Sequence, residues 1–223
     1  MKKYKLFIAC DSTKLSTVKK IINDTKNKQL EIGYKFGLEF LNSKNGRNFV
    51  SKLKDKITFG DYKFADIPKT CASAVKAVQD LKFNYLTIHI SSGINALKAA
   101  KKVSGKSKLV GVTILTSLDQ KSLREIGFSR EIKNLVIHQA KLANKAKLDA
   151  IVCSAQEVKI IRKVFKKEII TPGIRFGNEN GDQKRVSTPS KAYKNGSDWL
   201  VIGRPITKGN IKKNIKKLIN HLN

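Results

Sequence analysis

Short apolar runs rich in β-branched and aromatic residues alternate along this chain with segments whose apolar positions recur at helical spacing. The strand-like runs fall at residues 5–10, 30–36, 57–63, 85–90, 109–115, 150–153, 169–171 and 199–202. Each is short and β-rich, as a strand requires. Between them, Leu15, Val18, Ile21 and Ile22 line one helical face, and Val158, Ile161, Val164 and Phe165 line another. Ile211, Ile215, Leu218 and Ile219 form a third. Strands that alternate with helices pair in parallel through right-handed crossovers. Eight such units predict an α/β fold, a closed (β/α)8 TIM barrel of eight parallel strands and eight helices. An open doubly wound sheet is the alternative, but the Gly-x-Gly-x-x-Gly fingerprint of its dinucleotide-binding form is missing. No low-complexity linker divides the chain, so residues 1–223 are expected to form one domain. Residues 177–181, Gly-Asn-Glu-Asn-Gly, read as a mobile loop inside it.

Composition narrows the class. No apolar stretch reaches the roughly 18 residues of a membrane span. The opening Met-Lys-Lys-Tyr-Lys-Leu-Phe-Ile-Ala-Cys resembles a secretory leader, but its apolar run stops at Asp11, too early for one. Cys10, Cys71 and Cys153 lack metal-like spacing and fit reduced thiols in a cytoplasmic protein. The formal net charge is +29. A nucleic-acid or membrane-surface binder is one reading of such a charge. A genome-wide lysine bias is the other, and three features favour it. Only seven of the 46 basic residues are arginine, the residue suited to bidentate phosphate and base recognition. The lysines are spread along the whole chain, many on the polar faces of helical segments. No nucleic-acid-binding motif is present.

In a barrel of this type, chemistry sits at the carboxyl ends of the strands. Polar residues collect there: Asp11, Lys35, Asp61 and Lys63, His89, Thr116 and Ser117, Ser154, Arg175, and Gly203 with Arg204. Asp61 and Lys63 are two apart in a strand and so share a face, which points to the barrel mouth. Lys35 is within reach from the neighbouring strand, and Asp11 is placed to hold one of the lysines. The alternating charges fix one another's ionisation and position. A salt-bridge network that merely closes the barrel end is the alternative. Asp66 lies past the strand end, ahead of Ile67-Pro68, and is open to serving a neighbouring subunit or capping the third crossover helix. Across the ring, Thr171-Pro172-Gly173-Ile174-Arg175 and Gly203-Arg204 each offer a glycine and an arginine after strands 7 and 8, where barrels often grip phosphate.

These residues resemble the orotidine 5′-phosphate decarboxylase family, in order along essentially the whole chain. Asp61-Tyr62-Lys63-Phe64-Ala65-Asp66-Ile67-Pro68-Lys69-Thr70 is similar to its Asp-x-Lys-x-x-Asp-Ile-Pro-x-Thr signature. Lys35-Phe36-Gly37-Leu38-Glu39, Asp182-Gln183-Lys184-Arg185 and Gly203-Arg204-Pro205-Ile206-Thr207 follow its pattern. The resemblance implies cofactor-free and metal-free decarboxylation of orotidine 5′-phosphate to uridine 5′-phosphate, the last step of pyrimidine nucleotide synthesis. It implies that Lys63 protonates C6, with Asp61 beside the substrate carboxylate. Lys35 and Asp11 would complete the array and hold the ribose, and Thr116 or Ser117 would meet the base. Arg175, Gln183, Gly203 and Arg204, with Pro172 alongside, would bind the 5′-phosphate. Asp66, Ile67 and Thr70 would enter the partner's site in a homodimer. Two positions depart from the family pattern: Ala65 stands where a histidine is common, and Gly181 where many members have an aspartate. Sugar-phosphate decarboxylases and aldolases on the same barrel share Asp-x-Lys-x-x-Asp. They use magnesium, carry a glutamate in place of Lys35 and lack the Asp-Ile-Pro-x-Thr continuation.

Overall fold

The computed structural model describes residues 3–176 and 184–222. Eight parallel strands close on themselves in chain order: β1 (Tyr4–Ala9), β2 (Leu30–Gly37), β3 (Ile57–Phe64), β4 (Tyr85–His89), β5 (Lys108–Val112), β6 (Ala150–Val152), β7 (Glu168–Thr171) and β8 (Trp199–Ile202). Pairing of Leu6–Ile8 with Leu200–Ile202 seals the ring, leaving no open sheet edge.

The crossovers are more broken than eight helices. Among the described residues they comprise α1 (Leu15–Asp24), α2 (Leu38–Leu41), α3 (Gly46–Ser51), α4 (Pro68–Ala77), α5 (Gly93–Lys102), α6 (Gln120–Glu125), α7 (Ile132–Lys145), α8 (Val158–Ile161), α9 (Pro189–Lys194), α10 (Arg204–Thr207) and α11 (Ile211–Asn220). The crossovers after β2 and β5, and the segment after β8, each carry two helices. In α1 and α11 the expected stripe is the buried one: Val18, Ile21 and Ile22, then Ile211, Ile215 and Leu218. The stripe of Val158, Ile161, Val164 and Phe165 is interrupted. α8 is a single turn, and Phe165 continues its apolar face by donating its N–H to the Ile161 carbonyl. β5 also ends earlier than its apolar run. Beyond Val112, the Thr113 N–H and hydroxyl both donate to the Val152 carbonyl of β6.

Side chains alternate between the two faces of each strand, and the inward ones form layers. The floor of the barrel is an aromatic and aliphatic plug of Phe7, Phe59, Tyr85, Val110, Ala150, Ile170 and Trp199. The rings of Phe7 and Trp199 stack with centroids 4.3 Å apart. Gly33 on β2 leaves the space this plug needs, because a Cβ there would lie 2.6 Å from the Phe7 ring. Two residues further along the same strands the inward positions are Ala9, Lys35, Asp61, Thr87, Val112, Val152 and Val201. That second layer is where the site begins. The larger apolar cluster fills the space between sheet and helices.

Candidate active site

The charged residues of β2 and β3 form one chain of contacts above the floor. The Lys35 ammonium lies 3.1 Å from Asp11 Oδ1 and 3.5 Å from Asp61 Oδ2, and the Lys63 ammonium lies 2.8 Å from the same Asp61 oxygen. Charges therefore alternate from Asp11 through Lys35 and Asp61 to Lys63. Lys35 and Asp61 are buried, which makes the alternation a requirement: an isolated charge at either position would be costly. Burial pushes the Asp61 carboxyl up. The Lys35 and Lys63 charges and hydrogen bonds from Lys63 and Thr87 outweigh it, holding the group below the usual carboxylate range. Burial pushes Lys35 down, and Asp61 and Asp11 outweigh that in turn, so its ammonium form is favoured. Gly37 permits this packing. A Cβ at that position would stand 2.9 Å from Asp11 Oδ1 and 3.1 Å from Lys35 Nζ.

Asp61 and Lys63 meet on one face, as their spacing predicts, but not through a regular strand. Gly60 pairs with Leu86 and Phe64 with Ile88, so three residues of β3 stand opposite Thr87 alone. Within this bulge Lys63 takes a left-handed backbone conformation, φ 52°. The buried Thr87 hydroxyl donates to Asp61 Oδ1 at 3.0 Å and accepts the Lys63 N–H at 2.7 Å. Sequence reasoning passed over Thr87. The available signal was its position two before His89, on the same inward face of β4.

A cavity of 620 Å³ opens above the array. In a closed ring of eight, strands 7 and 8 lie across from strands 3 and 4. The far wall accordingly comes from Pro172, Gly173 and Arg175 after β7, and Gly203 and Arg204 at the start of α10. Gly173 has φ 77°, a conformation glycine adopts freely. Its carbonyl accepts the Ser187 N–H, and Arg175 N–H donates to the Ser187 carbonyl. Thr116, Ser117, Val112, Ile114 and Val152 line the cavity from the β5–β6 side. Asp11, Lys35, Asp61, Lys63, Thr116, Ser117, Pro172, Arg175, Gly203 and Arg204 thus converge on one cavity. Gln183 and the segment 177–181 lie outside the described residues.

Two further residues fix the β5 wall. Arg185 is buried, pairs with Glu157, and donates to the Ile114 and Leu115 carbonyls at 3.0 Å each. The Thr116 carbonyl accepts the N–H groups of Lys184 and Arg185. Glu157 in turn accepts the Ser154 N–H at 2.9 Å. Loops after β5, β6 and β7 are joined at this point. The Asp-Gln-Lys-Arg motif had pointed to this stretch of chain, though not to a buried role for its arginine.

Asp66, Ile67 and Thr70 stand apart from the cavity formed by their own chain. All of residues 65–70 are exposed, and Ile67 keeps 66% of its surface. Asp66 does not cap α4. That helix begins at Pro68 without a side-chain cap, whereas Asp66 Oδ1 accepts the N–H of Ile67, at 2.7 Å. Of the two roles open to Asp66 from the sequence, helix capping is the one this geometry removes.

Comparison with known proteins agrees with the arrangement. The model of the orotidine 5′-phosphate decarboxylase / HUMPS family matches residues 4–217. An orotidine 5′-phosphate decarboxylase of Wolbachia sp. subsp. Brugia malayi is 42% identical over 220 residues, covering 96% of each chain. Another, from Coxiella burnetii, is 42% identical over 217 residues, covering 91% of this chain and 89% of the relative. Among solved structures, the orotidine 5′-phosphate decarboxylase of Lactobacillus acidophilus superposes with a TM-score of 0.83 at 28% identity, covering 99% of this chain and 100% of that one. The signature of β3, the barrel and its charged mouth, and these matches along nearly the full length lead to one assignment: the chain belongs to the orotidine 5′-phosphate decarboxylase / HUMPS family.

Proposed function

We propose that this chain decarboxylates orotidine 5′-phosphate to uridine 5′-phosphate and carbon dioxide, without metal or organic cofactor, and that Lys63 supplies the proton to C6. The observation that carries this reading is the Asp11–Lys35–Asp61–Lys63 array, facing two arginines across a cavity of 620 Å³. When the bond between C6 and the carboxylate breaks, its electron pair stays on C6. With no electron sink to receive that pair, the site must stabilise the charge as it develops and quench it at once. An ammonium fixed at the reacting carbon does both. One proton passes from Lys63 Nζ to C6, and solvent returns a proton to the lysine.

The remaining residues divide by position. Asp61 sits beside the substrate carboxylate, where its charge disfavours the bound ground state. Lys35 and Asp11 hold the ribose hydroxyls, and Thr116 and Ser117 meet the pyrimidine. Arg175, Gly203 and Arg204, with Pro172 and Gln183, bind the 5′-phosphate. Binding energy from a group remote from C6 can be spent on ordering the site. Asp66, Ile67 and Thr70 complete the active site of a second subunit, a reading supported by the exposure of residues 65–70. The three cysteines are unpaired and buried, which suits a cytoplasmic enzyme.

The test is turnover of orotidine 5′-phosphate by the purified protein, with Lys63→Ala alongside. Activity without added metal and its near-complete loss in the variant are expected. A sugar phosphate turned over only with magnesium, orotidine 5′-phosphate being inert, would instead assign the chain to the sugar-phosphate branch. For the shared site, mixing inactive Asp66→Asn with inactive Lys63→Ala should restore part of the activity. No recovery after verified subunit exchange would remove the partner's contribution.

A further inference from the structure

We propose that Thr87 is a positioning residue for the proton donor, its hydroxyl fixing both the backbone of Lys63 and the carboxylate of Asp61 from the neighbouring strand. The proposal rests on Lys63 and Asp61 being the working groups of the site. Its basis is the irregular pairing of β3 with β4, where residues 61–63 stand opposite Thr87 alone. A lysine has no conformational preference for the left-handed backbone it adopts here, φ 52°. Its N–H, displaced from the regular ladder by the bulge, finds its partner in Thr87 Oγ1 at 2.7 Å. The hydroxyl proton is then directed to Asp61 Oδ1 at 3.0 Å. One group thus accepts from the main chain of the donor and donates to the side chain that orients it. Thr87 is fully buried, so no water substitutes freely for either bond. On the far side of the bulge the rings of Tyr62 and Phe64 stack with centroids 5.0 Å apart, which anchors its outer face.

The arrangement has a pH signature. Asp61 is faced by Lys35 from β2, Lys63 from β3 and His89 from β4, with Asp11 beyond Lys35 at the end of β1. Thr87 donates to the ionised carboxylate and so favours that form. Losing the donor raises the pH at which Asp61 takes up a proton, and the acid limb of the activity profile moves up with it. Protonated Asp61 no longer holds the Lys63 ammonium at 2.8 Å.

Thr87→Val keeps the shape and removes the hydroxyl; Thr87→Ser keeps the hydroxyl. With orotidine 5′-phosphate as substrate, kcat of Thr87→Val should fall roughly tenfold to a hundredfold. KM should change little, since the phosphate contacts lie across the barrel. The acid limb should shift to higher pH, and Thr87→Ser should restore both rate and profile. A Thr87→Val enzyme with the rate and acid limb of the parent overturns the proposal. So does a Thr87→Ser enzyme as impaired as Thr87→Val, because the retained hydroxyl would then fail to supply the function assigned to it. Lys63→Ala run alongside separates the two levels: full activity there sinks the assignment of Lys63 itself, whereas an inactive Lys63→Ala with a normal Thr87→Val sinks only the role of Thr87.

Discussion

The floor and the mouth of this barrel use the same strands, two residues apart, for opposite ends. Phe7, Phe59, Tyr85 and Trp199 point inward at the floor and fill it. Two positions on, Ala9, Asp61, Thr87 and Val201 point inward at the mouth, where small or charged side chains leave a cavity. The floor gains stability from apolar burial and aromatic contact, neither of which depends on a fixed charge. The mouth takes two side chains of opposite charge out of water and recovers the cost only because every charge has a partner. A buried lysine such as Lys35 is therefore tolerable in proportion to the precision of its neighbours. The difference teaches that in one closed sheet, stability and reactivity can be separated by a single step of the pleat.

That separation is open to direct attack from both ends. Lys63→Ala should abolish most turnover, by about 10⁴-fold or more, the upper range for a positioned proton donor. Its unfolding midpoint should stay close to the parent's, since Asp61 keeps Lys35 as a partner. A large loss of stability in this variant would mean that the mouth supports the fold as well. Trp199→Ala is the reciprocal change. Its ring is fully buried against Phe7 and Tyr85, so truncation should cost about 3–5 kcal/mol in denaturant unfolding. Folded Trp199→Ala, assayed well below its transition, should retain most of its kcat. If activity fell in step with the ring's removal while the protein stayed folded, floor and mouth would be coupled.

The sequence made one side of this contrast more legible than the other. Alternating β-rich and helical runs predicted eight strands in a closed barrel, and strand-end polarity pointed to nine residues of what proved to be one cavity, His89 and Ser154 falling outside its lining. Periodicity carries information where the backbone is regular and loses it where the backbone departs from the pattern. Spacing predicted that Asp61 and Lys63 share a face, but not that Lys63 sits in a left-handed bulge held by Thr87. No local pattern announces a threonine on a different strand as the partner. The same limit hid the buried pairing of Arg185 with Glu157, which lie 28 positions apart in the chain. It also shortened α8, whose apolar stripe continues through hydrogen-bonded turns after the helix itself has ended. The role proposed for Asp66 in a second subunit's site is one that a single chain's periodicity cannot carry at all.

A smaller change sharpens the contrast from within the mouth. Gly37→Ala adds one methyl group where Asp11 Oδ1 and Lys35 Nζ stand 2.9 and 3.1 Å from the new atom. Overpacking of this kind costs about 1–3 kcal/mol. Here the yielding element is the ion pair, because Gly37 is held in the sheet by its pairing with Asp61 on β3. We expect kcat/KM for orotidine 5′-phosphate to drop about tenfold, the equivalent of 1.4 kcal/mol. Thermal stability should change far less than in Trp199→Ala. A parent-like kcat/KM would show that the Asp11–Lys35 contact can shift without consequence, and the mouth would then be less exacting than its burial implies.

The smallest expected effect concerns charge outside both regions. A chain of net charge +29 draws a phosphate-bearing substrate toward it at long range. That field is screened as the Debye length shrinks from about 10 Å at 0.1 M salt to about 3 Å at 1 M. Raising the salt over that interval should lower kcat/KM for orotidine 5′-phosphate several-fold and leave kcat nearly unchanged, because Lys35 and Asp61 at the centre of the array are buried. Orotidine, which lacks the phosphate and carries only its carboxylate charge, should show a much weaker salt dependence. If the two substrates responded alike, the dependence would come from the mouth and not from the surface. The same measurement weighs the nucleic-acid reading of the basic surface. Double-stranded RNA at physiological salt should leave the rate unchanged if the lysines are a diffuse bias. Strong inhibition that fades steeply with salt would give that surface a binding function of its own.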